Sequence, residues 1–375
     1  MRKFIRLILA MLLALTCVFT LVACADDGAS APPPSDPPPV GPPPHTHSFT
    51  QETYLVDEGN AYKVKLCDCG DYEVLETLVD ALIATPETLA NVISTAVANS
   101  TVVLDSGYYS TLYLVGKNAY PQNLTVIGAK DVTLNGVSIT SGVKYEKVIT
   151  DSTNSAILNE TMVAEATING NLTFKNITFG RTVAIRNANI DGFTLYDCKF
   201  INSSGIVINA NTFCDYYGND TTNGNKVNVT RNNYCVLYTK NVRIENCSLR
   251  NVDYSGSQQD TAIIVHSVEN ITIKKCVVDG AKFNAVQING IGNAKTKGTI
   301  LLESNTFKYT NDRLLRFNSI EAGSTITLKY NILEGSGNAS EIMKASSVSG
   351  VEFNFYDNTY DGYSFDRYSS GVVIG

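Results

Sequence analysis

Tryptophan is absent from all 375 residues, so any aromatic binding platform would have to be built from tyrosine or phenylalanine. An excess of positive charge is absent too. Lys and Arg number 29 against 36 Asp and Glu, a net charge of −7, which argues against a nucleic-acid partner. The long apolar run at residues 7–23 is too short and too poorly flanked for a transmembrane helix. Helical periodicity is missing from the later chain. Asn, Thr, Val, Ile and Gly are abundant, a mix that suits many short strands and turns.

The first residues read as a targeting signal. Met1, Arg2 and Lys3 form a basic start, and the apolar run ends in Leu21-Val22-Ala23-Cys24. That tetrapeptide resembles the lipobox of bacterial lipoprotein precursors. The resemblance implies a signal peptide over residues 1–23 and a lipid-modified Cys24, anchoring the chain outside the cell at a bacterial membrane. The competing reading is an ordinary secretory signal cut after Ala23 or Ala25. Residues 24–44 form a linker. Its proline triplets, Pro32 to Pro34, Pro37 to Pro39 and Pro42 to Pro44, favour extended polyproline II and a semi-rigid stalk.

One phrase recurs in the later chain: apolar, any, apolar, two positions, Cys or Asn, any, apolar. It reads Phe193/Leu195/Cys198/Phe200, Val242/Ile244/Cys247/Leu249 and Ile271/Ile273/Cys276/Val278. It continues as Ile300/Leu302/Asn305/Phe307, Ile326/Leu328/Asn331/Leu333 and Phe353/Phe355/Asn358/Tyr360, with an earlier copy at Leu172/Phe174/Ile177/Phe179. Alternation at period two makes each copy a strand with one buried face. A second strand aligns independently: Val183–Arg186, Ile206–Asn209, Ile263–His266, Val286–Asn289, Leu315–Asn318 and Met343–Ser346. Two alignments agreeing across the same units point to a solenoid.

The phrase is similar to the coil repeat of the pectin-lyase-like right-handed parallel β-helix superfamily. That resemblance implies an all-β solenoid over residues 76–375, with Asn stacked at the bends and Cys198, Cys247 and Cys276 filling the same interior slot as free thiols. An open first coil needs a cap. Residues 86–98 supply a helix, with Thr85 as cap, Pro86 at the first position and Leu89, Val92, Ile93 and Ala96 on one face. Residues 137–168 break the period and read as a lateral excursion.

Outward positions of the second strand form two columns. One is Ala184, Val207, Ile264, Gln287, Arg316 and Lys344; the other is Arg186, Asn209, His266, Asn289, Asn318 and Ser346, with Tyr238 between Asn209 and His266. In polysaccharide-active relatives this face holds the substrate, walled by longer loops, here residues 214–234 and 250–260. The expected ligand-binding set is therefore Arg186, Asn209, Tyr238, His266, Gln287, Asn289, Arg316, Asn318 and Lys344. A solvated face without function is the alternative.

For catalysis, the nearest comparison is the polygalacturonase family, whose paired aspartates fall on Asp260-Thr261, histidine on Asn284, and Arg-x-Lys on Arg316-Phe317-Asn318. Only Asp260 and Arg316 match. Acid/base hydrolysis needs a second carboxylate that Thr261 cannot supply; Asp215 or Asp253 from the loops could. A polysaccharide lyase needs a base, with Lys282, Arg316 and Lys344 as candidates. Such lyases often use calcium, but Asp215, Asp220, Asp253 and Asp260 are scattered over two loops rather than clustered.

Cys214 and Cys235 bracket an insertion that a disulfide would close, or Cys235 points inward from a strand. Residues 45–75 form a small module in which His45, His47, Cys67 and Cys69 make up a tetrahedral set for a structural zinc. It resembles short His/Cys modules of surface proteins from anaerobic bacteria, but with Cys-x-Cys in place of Cys-x-x-Cys. A Cys67–Cys69 disulfide or plain thiols is the alternative. Two function classes stay open: a lipid-anchored surface protein that binds, or also cleaves, a polysaccharide or host-surface glycan, and a structural or adhesive surface protein with no enzymatic activity. Oligomeric state is not readable from these residues.

Overall fold

The repeated phrase folds as two strands joined by a bend. In Val268–Lys274, Ile271 and Ile273 are buried while Thr272 and Lys274 are not, the period of a strand with one inner face. Before each bend residue stands one with positive φ, between 49° and 57°: Asn176, Asp197, Asn246, Lys275, Ser304, Tyr330 and Asp357. This left-handed step turns the chain and sends the next side chain, from Ile177 and Cys198 through Asn358, into the interior. Polar residues predominate at the step because short polar side chains tolerate it best.

A computed structural model describes residues 47–142, 164–201, 205–211, 237–252 and 261–375. Strands make up 58% of it and helix 4%, which is the expected all-β class. Between Thr101 and Tyr360 the chain visits three long parallel sheets in fixed order, one strand in each before returning to the first. Sheet A runs from Leu82–Ala84 to Glu352–Tyr356, sheet B from Gly107–Tyr109 to Tyr363–Phe365, and sheet C from Leu112–Val115 to Val372–Ile374. The registers follow the repeat. Leu172, Phe193, Val242, Ile271, Ile300, Ile326 and Phe353 are successive neighbours in sheet A. Val183, Ile206, Ile263, Val286, Leu315 and Met343 are neighbours in sheet C.

The bend residues tie coil to coil. Asn331 Nδ2 donates to Leu302 O at 2.8 Å and to Asn358 Oδ1 at 2.8 Å, while its Oδ1 accepts from Asn305 N at 3.0 Å. Asn305 and Asn358 repeat the pattern, on Ile273 O and Leu328 O. The ladder passes into the cysteines where Cys276 N donates to Asn305 Oδ1, and Cys276 Sγ in turn reaches Ile244 O at 3.2 Å. Cys198, Cys247 and Cys276 are buried free thiols, and burial pushes the Cys247 thiol well up. Around them the core is aromatic at one end, with Phe174, Phe179, Phe193 and Phe200 in mutual contact.

The ends differ from expectation in detail. The helix is Leu89–Thr95, shorter than residues 86–98, because Thr85 to Thr88 close a separate first turn on Thr85 O. Leu89 and Ile93 are its buried residues. Residues 137–140, expected in an excursion, are a sheet C strand beside Val183–Arg186, since Val137 and Ile139 keep the inward period. At the other end the chain doubles back, Tyr363–Phe365 pairing antiparallel with Asn358–Tyr360 and laying buried Phe365 against Phe355 and Tyr360. Residues Phe49–Asp57, Asn60–Cys67 and Tyr72–Thr77 form a separate antiparallel meander. It meets the coils where Lys130 N donates to Tyr54 O at 2.8 Å and Asn176 Nδ2 to Thr53 Oγ1 at 3.2 Å.

Replacing Asn331 by Ala strips Leu302 O and the neighbouring amides of partners, an expected loss of about 2–3 kcal/mol. Asn331→Cys, which copies the occupant of three other coils, should lose clearly less. Urea denaturation followed by circular dichroism measures both, and equal losses would contradict the ladder's role.

Candidate functional site

Parallel pairing aligns the outward side chains of sheet C as expected, with Arg186, Asn209, His266, Asn289, Asn318 and Ser346 in one column. Ala184, Val207, Ile264, Gln287, Arg316 and Lys344 form the other. Rungs about 4.8 Å apart present these groups at regular intervals. Tyr238 is the exception. Asn209 pairs directly with His266, leaving no rung between them. Tyr238 instead precedes the sheet A strand Thr239–Glu245, its ring under the Lys297 ammonium at 4.6 Å and its phenol raised to about 12 by burial, then by Glu321 and Glu269. The reason is a clamp: buried Asn211 donates to Leu237 O at 2.8 Å and accepts from Leu237 N at 3.0 Å, so the chain re-enters one residue before Tyr238, at the corner leading to sheet A.

The middle of the stripe is a polar cluster sunk into the surface. Asn284, fully buried, donates to Thr261 Oγ1 at 3.3 Å and to Gln287 Oε1 at 3.1 Å. Asn289 Nδ2 lies 3.2 Å from His266 Nε2. Burial, then the charge of Arg316, lowers the His266 pKa to about 4, so the ring is neutral at neutral pH. With the amide donating to Nε2, the proton sits on Nδ1. That atom and the Oδ1 atoms of Asn284 and Asn289 are buried without a hydrogen-bond partner among the described residues. One donor and two acceptors are thus unmet in one small area, which is costly unless something else completes them.

Arg316 stands beside this cluster between Gln287 and Lys344 and has no acidic partner among the described residues. Lys344 does have one, Glu341 at 2.8 Å. Glu341 also binds Arg313, and Lys344 first, then Arg313, hold its carboxyl below the usual range. Of the two sheet C cations among the three base candidates, Arg316 is the one without an acidic partner among the described residues. Lys282 lies after the sheet B strand Val277–Ala281, its N–H bonded to Val252 O. The positions compared with a catalytic set, Thr261 and Asn284, do come together, but they bond one another as hydroxyl and amide. Asp215, Asp220, Asp253 and Asp260, like Cys24, His45, Cys214, Cys235 and most of both expected groove walls, lie outside the described residues.

The structure also gathers groups that the repeat did not single out. A cleft of about 390 Å³ separates the meander from sheet A, lined by Tyr54, Lys63, Lys175, Tyr196, Arg243 and Glu245 among others. The Lys175 ammonium lies over both tyrosine rings, 5.8 Å from Tyr54 and 5.3 Å from Tyr196. Two ion pairs line the cleft, Lys63 with Glu52 at 2.8 Å and Arg243 with Glu245 at 2.6 Å. The outward Lys175 and Tyr196 were visible as the last residue of each sheet A strand; the meander's approach to them was not.

Among the described residues, the one group of three or more His, Cys, Asp or Glu able to share a metal is His47, Cys67 and Cys69, with donor atoms within 4.8 Å of one another. No acidic cluster of the kind calcium takes occurs there. Cys67 and Cys69 are free thiols rather than a disulfide. The Cys69 thiol, then backbone N–H groups of Cys69 and Ser48, draw the Cys67 thiol down to about 7. No family model matches the chain, and a search of curated proteins finds none that matches it.

The depressed His266 pKa, about 4 against an ordinary 6.5, fixes a pH window. Between those values the unfolded chain binds a proton that the native state refuses, so stability falls as pH drops from 6.5 to 4, by roughly 3 kcal/mol at most. His266→Gln should remove that part of the slope in denaturation curves taken across pH 4–7. An unchanged slope would mean that His266 is ordinarily hydrated.

Proposed function

We propose that the chain is a right-handed parallel β-helix of the pectin-lyase-like kind, lipid-anchored through Cys24 on the outside of a bacterial cell, that binds polysaccharide along sheet C. The observation carrying this reading is the set of hydrogen-bond atoms on His266, Asn284 and Asn289 that lack partners among the described residues, beside an Arg316 with no acidic partner among them. Sugar hydroxyls can donate to the two amide oxygens and accept from Nδ1–H. A uronic-acid carboxylate matches the guanidinium as a bidentate partner. Binding is favoured over cleavage because Thr261 and Asn284 occupy the positions where hydrolysis would need a carboxylate and a histidine.

One observation favours the second reading, a rigid structural or adhesive module. The outer face of sheet A carries Lys274, Glu303 and Lys329 on successive rungs, paired at 2.9 and 3.8 Å, a face that is complete without a ligand.

A glycan array together with a depolymerisation screen on acidic and neutral polymers separates the two. The groove reading expects retention of a uronic-acid polymer and at least a tenfold weaker affinity for Arg316→Ala, from the loss of a charged hydrogen bond of about 1.5–3 kcal/mol. If the wild-type protein neither bound nor cleaved any polymer, the groove reading would be wrong.

A further inference from the structure

The geometry points to a zinc-type metal site formed by His47, Cys67, Cys69 and Asp71, which fastens the start of the meander to the turn between its second and third strands. It does not rest on the polysaccharide reading.

Local folding brings the four together. Phe49 pairs opposite Cys67, so His47 lies at the level of the turn that follows. That turn closes on itself, Cys67 N donating to Asp71 O at 2.8 Å and Gly70 N to Cys67 O at 2.9 Å. Gly70 has φ +99°, a conformation that side chains disfavour. His47 Nδ1 lies 3.2 Å from Cys69 Sγ and 3.2 Å from Asp71 Oδ2. A tetrahedral zinc with Zn–S of about 2.3 Å and Zn–N of about 2.0–2.1 Å has ligand–ligand edges of about 3.3–3.8 Å. The His47 distances fall just short of that range, so the imidazole needs only a small outward movement to admit a metal.

The donor chemistry selects the metal class. Two sulfurs and an imidazole suit zinc and similar transition ions and disfavour calcium and magnesium, which take oxygen. Asp71 lies outside this three-donor group but against His47, and a swing of its carboxylate toward the sulfurs would make it the fourth protein ligand without His45. All four positions filled by protein is the arrangement of a structural site.

The meander has reason to need such a fastening. Every residue of its third strand, Tyr72–Thr77, is exposed, and its buried side chains are few: Thr53, Tyr54, Ala61, Val64, Leu66 and Cys67. So small a core leaves a sheet marginal, and metal binding energy counts directly as folding energy. The same sheet supplies Glu52, Thr53, Tyr54 and Lys63 to one wall of the 390 Å³ cleft, so the site would also hold that wall in place.

The test uses the purified protein under reducing conditions, stripped with a chelator and titrated with Zn²⁺ and with Co²⁺. One metal per chain is expected, with the sulfur-to-cobalt charge-transfer absorption of a tetrahedral thiolate site. Cys69→Ser should abolish that absorption, Asp71→Asn should weaken binding at least tenfold, and His45→Ala should leave it unchanged. Circular dichroism of each variant reports whether the coils remain folded. Because the wild-type titration needs no variant, absence of stoichiometric metal there overturns the site outright. Binding that survives Cys69→Ser also overturns it, and loss on His45→Ala with no effect of Asp71→Asn would overturn the Asp71 assignment.

Discussion

Asn305, Asn331 and Asn358 place three amide side chains in an interior made mostly of Ile, Leu, Val and Phe. Each such group costs several kcal/mol if left unpaired, so it is tolerable only where its partners are supplied. Here each amide finds a strand carbonyl on one side and the next amide or backbone N–H on the other. A slip of register by one residue would break both sets at once. The rungs of the chain depend on this constraint, because the same bend fixes which residues of the strands before and after it point inward.

Fixed registers are what let short sequences build long surfaces. Partners along the bend ladder are 29, 26 and 27 residues apart in the regular coils, and bonded residues at other equivalent positions are 48 or 49 apart where a coil carries extra chain. The extra length does not disturb the sheets. Asn211 shows how one insertion is contained: its amide bonds both groups of Leu237, 26 residues later, bringing the two ends of the insertion together at its base. That clamp acts in the protein interior and works whatever the state of Cys214 and Cys235.

What could be read directly from the residues was whatever repeats locally. The apolar phrase and the second-strand alignment specify both registers, because a period-two pattern repeated at near-constant spacing admits one pairing that buries every apolar face. Tyr238 was misplaced for the converse reason. It lies beyond an insertion, where spacing no longer fixes register, and an aromatic residue beside an apolar one fits a strand or a corner equally well. The strand Val137–Thr140 was missed because the excursion after it breaks the period. The cleft beside Tyr54 depends on Thr53 meeting Asn176, 123 residues later, and no local pattern encodes that contact. The His47, Cys67 and Cys69 grouping was legible from residue type alone, but the contact of Asp71 with His47 comes only from the geometry of the turn.

Charge arrangement is the strongest ground for assigning recognition to sheet C rather than sheet A. Stacking rungs about 4.8 Å apart forces each charged side chain to meet its equivalents on neighbouring coils. On sheet A the meetings alternate in sign, Lys274 with Glu303 and Glu303 with Lys329. A ligand anion there would have to displace a carboxylate already in place, and partly exposed pairs of this kind return little net energy for the exchange. On sheet C, Arg316 meets Gln287 on one side and Lys344 on the other. Its field falls on a neutral histidine and on amides with unmet acceptors, so an incoming hydroxyl or carboxylate gains contacts without breaking any. Among the described residues, sheet C thus leaves polar groups open to a ligand where sheet A has paired its charges.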